Sequence, residues 1–391
     1  MKYNFDKVID RSGTSAEKVE GLKHIWGRTD LIPLWVADMD FATAPFVTDA
    51  IRKRCENEVL GYTGKPDSYY NAIINWVKQR YDLIVTKEVI NFVPGIVPGI
   101  GMAMNCFTQK GDKVMIQPPV YHPFAWVTTR NERTLVINPL KWENGMYRMD
   151  LDAFREQIKG CKLFILCNPH NPGGVVWTEA ELRAIADICY DEKVLVFSDE
   201  IHADLTLPPH THRPFATVCE KARMNSVTFM SPSKAFNMPG LSASHALIFN
   251  EDLRKRFRIY MDAGELDMGH VFAFLSVEAA YSHGTEWLDQ CLAYIQGNID
   301  FVDDFLKNHA PKIKAIRPEA SYLVWLDCRE LELSQKDLNE FFVDKAHLAL
   351  NDGEMFGKEG IGFMRLNVAS PRCIIEKAMK QLADAYQLYI K

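Results

Sequence analysis

The chain has 391 residues, 47% hydrophobic and 25% charged, with a formal net charge of −6. This is a globular composition, long enough for two domains and a large core. No basic run exceeds Arg254-Lys255-Arg256, which argues against nucleic acid as the main partner. No apolar stretch reaches the length of about 18 residues that a membrane helix needs.

The N-terminus, Met1 to Asp6, is polar and has no apolar signal core. The first 30 or so residues read as polar and turn-rich. Leu34 to Phe41 is a short apolar alternation. Ile90–Val93 reads as a strand, Pro94-Gly95 as a turn and Gly99–Phe107 as a helix of small residues. Val114–Ile116 and Leu163–Cys167 read as buried strands. Ala180–Tyr190 reads as a helix with Leu182, Ile185, Ala186 and Cys189 on one face. Val194–Phe197, Val227–Met230 and Ala246–Phe249 add three strands. Apolar strands alternating with helices predict an α/β fold: a mostly parallel sheet covered on both faces, in three layers. Leu288, Leu292, Ile295, Ile299, Val302 and Leu306 then form the apolar stripe of one long, core-facing helix. Tyr322–Leu326 and Phe363–Val368 read as strands of a smaller α+β domain. The nine cysteines are scattered without a C-x-x-C pair, and Cys106, Cys167 and Cys189 lie in apolar runs. They read as reduced, buried side chains of a cytoplasmic protein.

In such a sheet, ligands gather at the carboxyl ends of the strands. Ser231-Pro-Ser-Lys234 follows one apolar strand, and Asp199 closes another 35 residues upstream. A lysine and an aspartate at neighbouring strand mouths suit pyridoxal phosphate, which needs an amine for a Schiff base and a carboxylate for its ring nitrogen. A surface lysine, and a salt bridge from Asp199 to some arginine, are the plainer alternatives. Gly95, Ile96 and Val97 lie in the Pro94–Gly99 segment that joins the first strand to its helix. They read either as phosphate-holding N–H groups or as a simple turn. Tyr121 reads as a ring-stacking residue or an ordinary half-buried tyrosine. Asn168-Pro-His-Asn171-Pro-Gly-Gly174 forces an extended, tightly turned segment in which Asn171 is placed to donate to a phenolate oxygen. His202 reads as a neighbour of the ring hydroxyl or a surface histidine. Ser231 and Ser233 read as phosphate donors. Arg365 lies inside an apolar strand and wants a carboxylate, either from an amino-acid substrate or from an internal acid. His210 to Arg213 reads as an exposed loop with spacing poor for a metal, and no metal site is expected.

Together these stations resemble fold-type I pyridoxal-phosphate enzymes of the aminotransferase class I/II superfamily, over nearly the whole chain. Within it the chain resembles the MalY/PatB family of cystathionine β-lyases, or C–S lyases. The specific points are Asn4-Phe5-Asp6, Asp10-Arg11-Ser12-Gly13-Thr14, Leu34–Phe41, Ser198–His202, Ser231–Lys234 with Phe236-Asn237, and Gly360–Arg372. The resemblance implies that Lys234 forms the Schiff base, Asp199 pairs with the ring nitrogen, Asn171 bonds the ring hydroxyl and Tyr121 stacks on the ring. Gly95, Ile96, Val97, Ser231 and Ser233 would surround the phosphate. Tyr62 would reach it across a homodimer interface, with His202 also counted at the cofactor. Arg365, with Trp35 and Asn171, would bind the substrate. Two positions depart from the wider aminotransferase pattern: Ser242 stands where many relatives have arginine, and His202 where many have tyrosine.

The implied reaction is β-elimination from an S-substituted cysteine, cystathionine first, giving thiol, pyruvate and ammonia. An aminotransferase on the same fold is the rival reading. A regulatory protein keeping fold and cofactor is a third, and a nicotinamide oxidoreductase lacks its glycine fingerprint. The expected division is a large cofactor domain over 45–285 and a small domain of 1–44 with 286–391, linked by a long helix near 286–308.

Overall fold

The computed structural model describes residues 3–390; Met1, Lys2 and Lys391, and with them part of the polar N-terminus noted above, lie outside the described residues. Seven strands form the main sheet: β1 (Ile90–Val93), β2 (Lys113–Ile116), β3 (Thr134–Ile137), β4 (Cys161–Cys167), β5 (Leu195–Asp199), β6 (Ser226–Met230) and β7 (Ser244–Leu247). Their order is β1-β7-β6-β5-β4-β2-β3. Strand β7 runs antiparallel to both β1 and β6, while the other pairings are parallel.

The sequence explains this sheet directly. Strands β5 and β6 are almost wholly buried, and their apolar residues Leu195, Val196, Phe197, Val227, Phe229 and Met230 suit a strand covered on both faces. Alternate residues of β4 face opposite layers. Leu163, Ile165 and Cys167 join the cluster that contains Ile100 and Phe257, while Phe164 and Leu166 join Leu182 and Ile185. Only β3 is half-exposed, at the sheet edge. Its mixed pattern carries no clear period, so the sequence does not announce it.

Helix α1 (Glu17–Trp26) lies in the stretch read as turns. Helix α2 (Ile96–Phe107) packs closely on the sheet. A Cβ on Gly99 would stand 3.0 Å from Val93 Cγ2 and 3.1 Å from Phe229 Cε1. Helix α3 (Glu179–Asp191) begins with a complete capping box between Thr178 and Glu181. Helix α4 (Thr285–His309) buries the whole predicted stripe together with Trp287, Cys291 and Asn298. Beyond it, β8 (Lys314–Ile316), β9 (Leu323–Asp327), β10 (Asn351–Asp352) and β11 (Phe363–Asn367) form an antiparallel sheet of order β8-β9-β11-β10. Helix α5 (Arg372–Tyr389) closes the described chain.

Residues 34–41 form no strand, although Ile32-Pro33 pairs with Leu348-Ala349. Two asparagines, the buried Asn367 and the half-buried Asn237, take up this loop's backbone instead. Asn367 Nδ2 donates to Val36 O and Asp38 O, and Asn237 bonds Met39 N, Met39 O and Phe41 O.

Candidate active site

The same edge of the main sheet collects the ends of β1, β4, β5 and β6. Because β7 is reversed, its first residue, Ser244, pairs with Val93 and arrives at that edge too. A cavity of about 210 Å³ lies there. Gly95, Ile96, Val97, Tyr121, Asn171, Asp199, His202, Ser233 and Lys234 line it, together with Ala37, Cys167, Ile201 and Ser242–Ser244.

Asp199 is 3% exposed, and its carboxylate accepts from Ile201 N at 3.1 Å. Among the ion pairs of the described residues none includes Asp199, so the internal salt bridge considered for it is not formed. Burial pushes its pKa up to about 7, with the neighbouring Glu200 adding to the rise. A buried carboxyl in this condition wants a cation that the fold itself does not supply. Lys234 lies across the cavity. Its Nζ donates to Ala37 O at 2.5 Å, and burial draws its pKa down to about 8. Arg365 adds to that fall, while Asp38 and Asp199 oppose it.

His202 is buried rather than on the surface, and its Nδ1 has no partner. Burial drives its pKa down to about 3, so the ring is neutral at ordinary pH. Tyr121 stands beside Phe124, ring centroids 5.7 Å apart, and burial pushes its hydroxyl pKa up. Helix α2 begins at Ile96 with no side chain capping its first N–H groups. Those N–H groups, with the dipole behind them and the Ser233 hydroxyl nearby, suit an anion such as a phosphate.

Arg365 sits behind Asn171. Its Nη1 donates to Asn171 Oδ1 at 3.1 Å, and its Nη2 donates to Trp35 O and Asn351 Oδ1. These partners are neutral, its Nε is buried without one, and no carboxylate among the described residues pairs with it. Burial lowers its pKa to about 10. The internal acid considered for it is therefore absent, and a buried guanidinium is left for an incoming carboxylate.

Ser231, Trp35 and His212 differ from the expectation, and Tyr62 stands outside this chain's own cavity, where a residue meant for a partner chain would be. Ser231 does not line the cavity. Its hydroxyl donates to Ala243 O at 2.7 Å and fastens the β6 loop to the segment before β7. The Trp35 indole turns away, donating to Lys18 O and packing edge-on against Trp26, so only its carbonyl reaches Arg365. Tyr62 is 97% exposed and does not line this chain's cavity. His212, read as part of an exposed loop, is buried and hydrogen-bonded to Glu200 at 2.8 Å. The Ala37 carbonyl and the Ala243–Ser244 segment escaped the sequence, whereas Ser242 was singled out there. The first is a backbone atom, and the second lies before a strand rather than after one.

The residues fit the cofactor that the sequence implied. An unpaired buried carboxyl and the amine of a half-buried lysine line one cavity, with an uncapped helix start opening onto it. This fold and site define the family, and the chain belongs to it: the model described as aminotransferase class I and II matches residues 29–382. Within the family the chain is similar to cystathionine β-lyase PatB of Bacillus subtilis (strain 168), 38% identical over 98% of this chain and 99% of that protein. It is also similar to cystalysin of Treponema denticola, whose crystal structure contains pyridoxal 5'-phosphate. That match has a TM-score of 0.96 and 33% identity, and it covers both chains completely. The pyridoxal-phosphate-bound C–S lyase of Staphylococcus hominis matches with a TM-score of 0.91 and 35% identity, over 99% of this chain and 98% of that one.

Proposed function

We propose that the protein is a pyridoxal-phosphate-dependent carbon–sulfur lyase that cleaves S-substituted cysteines, cystathionine among them, to thiol, pyruvate and ammonia. The observation that carries this reading is the arrangement of Lys234, Asp199 and Arg365. An amine and a carboxylate line one cavity, and behind its Asn171 wall stands a guanidinium that no carboxylate among the described residues pairs with. When bound, pyridoxal phosphate supplies an electron sink for bond breaking next to the substrate's amino carbon.

The protein's own residues do the rest. Asp199 would keep the cofactor ring nitrogen protonated, and that cation would answer its unpaired burial. The N–H groups of Ile96 and Val97, with Ser233, would hold the phosphate. Asn171 would bond the ring hydroxyl, and Tyr121 would pack on the ring. Arg365 takes the substrate carboxylate and so fixes the orientation of the Cα–H bond. Lys234 removes the Cα proton as a general base, and a pKa near 8 leaves a share of the amine free at neutral pH. Loss of thiolate from Cβ follows, and the three-carbon fragment hydrolyses in water to pyruvate and ammonia.

The full-length likeness to PatB and to the Staphylococcus C–S lyase supports elimination over transamination. Ser242 at the cavity wall, where the aminotransferase pattern has arginine, supports it as well. The reading includes a large unit over 45–285 and a small one of 1–44 with 286–391. It also includes a cytoplasmic homodimer in which Tyr62, exposed on one chain, reaches the partner's phosphate site. No helix of the described residues is long and apolar enough to cross a membrane.

The test is an assay on cystathionine and cysteine with no keto acid added. Equal yields of pyruvate and thiol (from cysteine, sulfide) are expected. Strict dependence on a keto-acid acceptor would instead assign transamination.

A further inference from the structure

The N-terminal signature Asp10-Arg11-Ser12-Gly13-Thr14 has no part in the reaction described above, yet it reaches the catalytic lysine by one short route. Lys234 Nζ meets Ala37 O, which also accepts from the Tyr322 hydroxyl at 3.0 Å. The next residue, Asp38, carries a carboxylate that Arg11 Nη2 grips at 2.6 Å. Arg11 Nη1 bonds Asp40 at 3.2 Å, and Lys18, fully buried, completes the square at 2.8 Å from Asp40 and 3.7 Å from Asp38. Two cations thus offset two carboxylates on the loop that holds Lys234.

We propose that Arg11 is a positioning residue of this active site: acting through Asp38, it offsets the negative charge beside Lys234 and so keeps the lysine able to shed its proton. The charged and titratable groups that face Lys234 are Asp38 from the loop, Asp199 from β5, His202 from the turn after β5 and Arg365 from β11, with Tyr322 sharing its carbonyl. His202 is neutral, and Asp199 and Arg365 stay fixed when Arg11 is changed. Removing the Arg11 cation leaves Asp38 less compensated, which favours the ammonium form of Lys234. Removing the Asp38 carboxylate leaves Arg11 and Lys18 in excess, which favours the free amine.

The inference rests on Lys234 as the reactive amine, and its test reads that amine without substrate. The full chain, freed of cofactor, is labelled with acetic anhydride over a pH series, and acylation of Lys234 is followed by peptide mass spectrometry. Arg11→Gln should raise the labelling midpoint by about 1 pH unit. Arg11→Lys should restore it, because the charge returns. Asp38→Asn should lower it, and this arm decides the matter if Arg11→Gln does not fold. A folded Arg11→Gln protein with an unmoved midpoint, or an Asp38→Asn midpoint that stays or rises, overturns the proposal. A failed shift leaves the lyase reading standing, and absence of lyase activity leaves this one standing.

Discussion

Lys234 and Asp199 are each held away from their ordinary protonation by burial, in opposite senses, and the proposed cofactor would engage both. For Asp199 the folded pKa of about 7 exceeds the ordinary 3.8. The stability it contributes is present below about pH 3.8 and is lost as pH rises through 7. In the cofactor-free protein Asp199→Asn should therefore melt above wild type near pH 8, by up to about 4 kcal/mol, and match it near pH 4. Melting curves at both pH values check this; an equal difference at both would contradict it. Lys234→Ala should lower pyruvate formation by roughly 10²–10⁴-fold in steady-state assays. Arg365→Met should raise KM for cystathionine by roughly ten- to a hundredfold, since a charged hydrogen-bonded contact is lost. These three side chains were legible because each is a charged residue in or next to an apolar strand, where the sequence offers it no solvent. His202 was only half legible, since nothing local tells a buried imidazole from an exposed one. Trp35 misled because an aromatic ring beside a site is not thereby aimed at it.

At the scale of elements, the strands β4, β5 and β6, each built on an apolar run, were readable to within a few residues, as was the α4 stripe. The direction of β7 was not, because strand direction is set by connections rather than by composition. That direction is what brings Ser242–Ser244 to the cavity. The 34–41 loop imitates a strand in its alternation, but its backbone is taken up by side chains from elsewhere in the chain. A further buried side chain of this type is Asn298 on α4, which donates to Val368 O and Ser370 O and accepts from Arg372 Nε. Asn298→Ala would leave two buried carbonyls without that donor. It should cost about 2–3 kcal/mol in urea unfolding. A change within a few tenths would show that the turn after β11 does not depend on it.

For the whole molecule, burial of neutral histidines contributes to the response to acid. Burial lowers His170, His202 and His245 from the ordinary 6.5 to about 3. Their folded pKa lies below the unfolded one, so the stability they contribute is present above pH 6.5 and is lost as pH falls toward 3. His245 is fully buried with both ring nitrogens unpartnered. His245→Leu should flatten the acid limb of a stability–pH curve by about 1.4 kcal/mol per pH unit. An unchanged slope would show that this ring does not titrate on unfolding. The acid response, like the cavity, depends on the depth of the two sheets and the helices around them, which no local pattern in the chain records. The central claim is that one lysine carries the cofactor. Its most direct measurement is borohydride reduction of the holoprotein followed by peptide mass spectrometry. A phosphopyridoxyl group on Lys234 is expected. The same group on another lysine, with Lys234 unmodified, would contradict it.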